Sequence, residues 1–149
     1  MLAFVLFLAG AVTATCPPRL SYEQVEALAQ KVEEGDGQAA HCLASRLKQL
    51  DGGLAEDATR ALGQYGDRNP VHFLRLFDEG VLSERQLANA VSMLPLSLVD
   101  DFQAQFKALE ARRKRFQKVT ARELANERKL VLERIKARLD ETRPHLPRS

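Results

Sequence analysis

Residues 110–123 read EARRKRFQKVTARE, in the middle of 48 consecutive residues, from Leu96 to Arg143, that contain neither glycine nor proline. The reading of this stretch decides the fold. Taken as one element, 97–142 is a single helix of about 70 Å at about 1.5 Å per residue. The Thr120-x-x-Glu123 pattern is a capping box of the kind that starts a helix, so a break near 119–120 is the alternative.

The four consecutive cations Arg112, Arg113, Lys114 and Arg115 suggest a patch for an anionic partner. Helical geometry argues otherwise. At about 100° per residue, Phe102, Phe106, Leu109 and Phe116 fall within a band of about 80°, and Leu124, Val131 and Ile135 continue it. Four successive residues spread around the whole circumference. Arg113 lands inside the apolar band, Arg112 flanks it, and Lys114 and Arg115 face away. Arg113 is therefore expected to reach an acid on a facing helix, while the rest of the run is solvated surface laced with ion pairs. Thr120 and Glu127 follow Arg113 at seven-residue intervals, and a dry coiled-coil seam does not welcome three polar layers in succession. Oligomerisation through the long helix stays open. Candidate interaction residues are the apolar band Phe102, Phe106, Leu109 and Phe116 with the cations Arg112, Arg113, Lys114 and Arg115.

Outward from this stretch, the chain is 149 residues long, enough for one domain with a modest core. Ala, Leu, Glu, Arg, Lys and Gln dominate, and no strand signal competes with them. The net charge of +2 hides a division. Residues 1–106 carry 8 Lys/Arg against 14 Asp/Glu, a balance of −6, and residues 107–149 carry 14 against 6, a balance of +8. An acidic front and a basic tail either attract each other or serve separate partners.

Capping boxes at Ser21…Gln24, Ser83…Gln86 and Ser97…Asp100, with Asn69-Pro70, predict further helix starts. Glycines at 35, 37, 52, 53, 66 and 80 predict stops. The resulting helices cover roughly 22–34, 38–50, 54–65, 70–79, 83–94 and 97–142, within the few-residue scatter of such boundaries. LKQLDGGLAEDATRAL from Leu47 resembles LRLFDEGVLSERQLANAV from Leu74. Both share Leu-x-x-apolar-Asp-x-Gly at a turn. Two ordinary helix pairs with similar turns account for this, and a short solenoid-like repeat is the bolder reading. The expected fold is all-α: stacked helical hairpins over 21–95, then a long basic amphipathic helix over 96–143 and a flexible tail at 144–149.

The start MLAFVLFLAGAVTA is uncharged and apolar, and too short to span a bilayer. It is expected to be a signal peptide over 1–14, although it lacks a basic leading region. A hydrophobic first helix of the fold, or a lipidated or uncleaved N-terminus that tethers the protein to a membrane, are the alternatives. The prolines of CPPRL set an extended lead-in over 15–20. Export, to a periplasmic or extracellular space, makes a Cys16–Cys42 disulfide the natural pairing.

Chemistry finds little foothold. His41 adjoins Cys42, but neighbours on a helix point about 100° apart and make a poor catalytic pair. No His or Cys spacing suits a metal, and no Gly-rich phosphate loop or nucleophile elbow is present. The acid pairs Glu56-Asp57, Asp78-Glu79 and Asp100-Asp101 lie at expected helix ends, where surface positions are the rule. No catalytic residue, cofactor or metal is expected. The composition points to an exported non-enzymatic binding or adaptor protein with a protein partner. An envelope-associated protein held to an anionic membrane or polymer by its basic tail is the second reading. Nucleic acid is disfavoured, because the tail lacks aromatics for base stacking.

Overall fold

The computed structural model describes residues 15–147; the expected signal peptide, 1–14, lies outside the described residues. Among the described residues all regular structure is helical: α1 (Tyr22–Glu33), α2 (Gly37–Arg46), α3 (Gly52–Arg68), α4 (Pro70–Asp78), α5 (Glu84–Ser92), α6 (Phe102–Gln117) and α7 (Ala125–Thr142). Short 3₁₀ turns lie at Leu47–Gln49, Leu96–Leu98, Arg122–Leu124 and Arg143–His145. The fold is all-α, stacked hairpins followed by a long C-terminal helix.

Local signals set the starts of α1 and α5. Both Ser21 and Ser83 accept from the backbone N–H three residues on, while Gln24 and Gln86 reach back to the cap residue, closing two capping boxes. The other two boxes do not form. Ser97 lies within a 3₁₀ turn, and α6 begins instead at Asp101, whose carboxylate accepts from Ala104 N–H at 2.9 Å. Ala121, with no side-chain cap, precedes the Arg122–Leu124 turn, and Glu123 is drawn to Arg75 of α4 at 3.4 Å.

α3 is the hub, packed against α1, α2, α4 and α5. It runs through Gly66, where the sequence predicts a stop, because that glycine serves close approach instead. A Cβ on Gly66 would press on the rings of Phe73 and Phe116 at 3.2 Å. One on Gly63 would collide with the Ala90 carbonyl of α5. Three residues apart, the two glycines open one face of α3 to α4, α5 and α6.

The repeat resolves into two different turns. The left-handed residue is Gly80 in one, but Gly52 in the other, one position before the glycine that aligns with it.

The stretch 96–143 takes the broken alternative. α6 and α7 pack against each other as a hairpin, and the chain reverses over 118–121. Burial dictates this. A straight rod would leave Leu124, Val131, Ile135 and Leu139 in water, whereas after the reversal all four are at most 2 % exposed. At about 25 cal/mol per Å² of apolar surface, four such side chains outweigh the few helical hydrogen bonds lost at the turn. Val119 lies buried at the turn, and its carbonyl accepts from the Arg128 guanidinium. The continuous seam that a rod-like oligomer would require is therefore absent among the described residues.

Candidate interaction surface

The four-cation run divides four ways. Arg112 is 1 % exposed and fully engaged. Its Nε and Nη2 donate to the two Asp67 carboxylate oxygens of α3, each at 2.8 Å. Its Nη1 donates to the Val91 and Met93 carbonyls at 2.8 and 2.7 Å. One guanidinium thus satisfies an acid and terminates α5, whose last carbonyls carry the negative end of the helix dipole.

The sequence expectation is corrected here. Arg112, not Arg113, crosses to a facing helix, while Arg113 pairs with Glu110 of its own helix at 2.8 Å. The buried side of α6, formed by Gln105, Leu109, Arg112 and Phe116, is rotated away from the apolar band toward the flank where Arg112 stands and meets Asp67 of α3 and the end of α5. Lys114 is exposed, and Arg115 is half-exposed 3.8 Å from Asp67. No common patch results.

The apolar band divides too. Leu109 and Phe116 are fully buried, and the Phe116 ring meets Phe73 edge-on with centroids 5.9 Å apart. Phe106 is half-buried beneath the Arg143 guanidinium, 5.7 Å from its ring centre. Phe102 is 41 % exposed, and His145 stacks on it at 4.6 Å. Just before it, Leu96 and Val99 are 61 % and 60 % exposed. Sequence reading missed these two, assigning them to a linker and a helix start. The apolar run MLPLSLV at 93–99 was the available signal.

The loop carrying them is held firmly. Gln105, itself buried, donates from Nε2 to the Leu98 and Val99 carbonyls at 2.9 and 2.8 Å. With both carbonyls satisfied, the turn stays closed and Leu96, Val99 and Phe102, spaced three apart, project outward from a fixed base. Asp100, exposed, lies between Val99 and Phe102 in sequence, and Arg143 and His145, both exposed, pack on the Phe106 and Phe102 rings.

At the opposite part of the chain, Cys16 and Cys42 form a disulfide with Cα atoms 5.4 Å apart. Arg46 Nε adds a bond to the Pro17 carbonyl at 2.7 Å, so the lead-in is tied to α2 twice. The bonded Cys42 offers no thiolate, which removes a Cys/His nucleophile. Serine at both positions is expected to lower the unfolding free energy by about 3 kcal/mol, the chain-entropy figure for a loop of this length. Urea titration of the double variant beside the oxidised protein measures it.

The Tyr65 hydroxyl lies 2.5 Å from His72 Nδ1. Burial first, and the Asp36 charge second, hold its phenol above the ordinary value of 10.0, so at neutral pH it stays protonated, and which partner donates follows the His72 tautomer. Tyr65→Phe is expected to cost about 1 kcal/mol at pH 7. Because the folded state binds the phenolic proton more tightly than the unfolded state, that stability is present below pH 10.0 and is lost as pH rises through the raised value. Denaturant titrations of the two proteins should therefore converge above pH 10.

The acid pairs are all exposed, and among the described residues no group of three His, Cys, Asp or Glu is placed to hold a metal ion. No described helix is long and apolar enough to cross a membrane. Comparison with known protein families, curated proteins and solved structures finds no match for the chain.

Proposed function

We propose that this protein is an exported, non-enzymatic helical binding protein whose partner-facing surface is the stripe Leu96, Val99 and Phe102. The observation that carries the reading is the pinned loop. Large apolar side chains set three apart on a rigid turn, exposed in water, are the usual mark of an interaction site rather than a packing accident. The disulfide supports the exported part of the reading, since such bonds persist in oxidising compartments.

Attachment to an anionic surface through the basic C-terminal hairpin is the second reading. The excess of cations in 107–149 favours it. Against it, much of the positive charge on α7 is matched within the helix, Lys136 to Asp140 and Arg138 to Glu141 at 3.1 Å each and Lys129 to Glu133 at 3.9 Å.

Retention on the affinity-tagged protein, from native envelope or medium at low and at high salt, separates the two. Apolar docking keeps a protein partner at high salt and loses it in Leu96→Asp/Val99→Asp. Loss of all association as salt rises, reproduced by anionic vesicles alone, favours electrostatic attachment instead.

A further inference from the structure

We infer that the turn Arg143–His145 is an autoinhibitory strap, a weakly held cover over Phe102 and Phe106. That it inhibits rests on reading the 96–102 surface as the binding face; the cover itself stands on geometry alone. Because α6 and α7 pack as a hairpin, the end of α7 returns to the start of α6. Pro144 has no N–H to extend the helical ladder, and the chain tightens there into a 3₁₀ turn. That turn sets His145 on the Phe102 ring, 19° from parallel with centroids 4.6 Å apart, and Arg143 over the Phe106 ring at 5.7 Å. Phe102 and Phe106 are one helical turn apart, so one short segment covers both.

The two sides of this contact are held unequally. On the α6 side, Gln105 fixes the loop through the Leu98 and Val99 carbonyls. The strap's own bonds stay within its segment. Arg143 N–H donates to the Leu139 carbonyl, Leu146 N–H donates to the Arg143 carbonyl at 3.2 Å, and the Arg143 guanidinium stands 4.0 Å from Asp140. Among the described residues no hydrogen bond or ion pair joins 143–145 to α6, which leaves the two ring contacts. At exposed sites each favours closure about two- to fivefold, and both together about tenfold, so the strap is off in roughly one molecule in ten. When it is off, Phe102 and Phe106 join Leu96 and Val99 as one apolar surface. When it is on, that end is screened, and an apolar ligand binds there more weakly in proportion to the open fraction.

The probe is anilinonaphthalene sulfonate, an apolar anionic dye, titrated by fluorescence into the oxidised full chain and into Arg143→Ala/His145→Ala. Both side chains are exposed, so the variant should keep its fold and melting curve. It is expected to bind the dye about tenfold more tightly, the factor by which a rarely open site discounts affinity. Losing a cation weakens the binding of an anion, so tighter binding reports uncovering. Adding Phe102→Ala should remove the gain, and His145→Phe alone, which keeps a stacked ring, should bind as weakly as the parent. Proton NMR gives a second readout: the His145 ring protons lie upfield in the parent, over the Phe102 ring, and shift back in Phe102→Ala. Unchanged dye affinity in Arg143→Ala/His145→Ala, a gain that survives Phe102→Ala, a gain already present in His145→Phe, or His145 protons insensitive to Phe102→Ala overturns the inference. The binding reading fails separately, on a partner retained equally by the parent and Leu96→Asp/Val99→Asp, and that result leaves the dye and NMR outcomes as they stand.

Discussion

Arg112→Met lowers the unfolding free energy by about 3–5 kcal/mol, the range for breaking a buried ion pair from one side. The guanidinium is nearly without solvent contact, and its loss leaves Asp67, among the described residues, with only Arg115 at 3.8 Å, and the Val91 and Met93 carbonyls without the donor they share. Asp67 keeps 23 % exposure, so water relieves part of the penalty and places the expected value toward the lower end. Arg112→Lys should recover little of it, because an ammonium cannot hold both carboxylate oxygens and two carbonyls in one plane. Removing the acid as well, in Arg112→Met/Asp67→Leu, should return a substantial part, since an apolar pair of similar volume leaves no stranded charge. Urea unfolding of the parent, Arg112→Met, Asp67→Leu and Arg112→Met/Asp67→Leu closes the double-mutant cycle. If the two single substitutions simply add, the pair is not coupled and this account of Arg112 is wrong.

Phe116→Ala is the second large effect, about 3–5 kcal/mol from lost burial and the cavity left behind. The ring is fully buried, stands edge-on to Phe73 and fills the space that Gly66 leaves open on α3. The loss therefore falls where α3, α4 and α6 meet, and neighbouring helices cannot all close upon it. Lys114→Ala, two residues earlier and exposed, should stay within about ±0.5 kcal/mol. Denaturant midpoints of the two variants give the comparison directly. Since a domain of this size holds roughly 5–15 kcal/mol in total, the phenylalanine variant should be near unfolding and the lysine variant indistinguishable from the parent.

Much of the fold was legible because helix formation is local. Ser21 with Gln24 and Ser83 with Gln86 carry their own capping chemistry within four residues, so the starts of α1 and α5 follow from sequence alone. Gly66, inside α3, shows the limit of that logic. A glycine signals a stop only when the chain needs its backbone freedom, and here α3 needs the missing side chain so that neighbours can approach.

Periodicity likewise marked Phe102, Phe106, Leu109, Phe116, Leu124, Val131 and Ile135 as one apolar band; the last five are buried, whereas Phe106 is half-buried and Phe102 is 41 % exposed. It did not say what would cover the band. A rod and a hairpin share the same 3.6-residue pattern; what separates them is whether a second surface is available to bury it, and that surface belongs to α4 and α5, far away in sequence. The same holds for Arg112. Its angular position beside the band was readable, but Asp67 lies 45 residues earlier and the carbonyls of α5 about 20 earlier, and only tertiary packing brings them to one guanidinium. Leu96 and Val99 were visible as apolar letters, and their exposure was not, because a side chain's contact with water depends on what the rest of the chain leaves uncovered. The sequence alone therefore determined helix composition, two capped starts and the inward stripe. Tertiary structure decided the reversal at 118–121, the buried arginine and the apolar loop left facing outward, since each depends on contacts between residues that no local pattern relates.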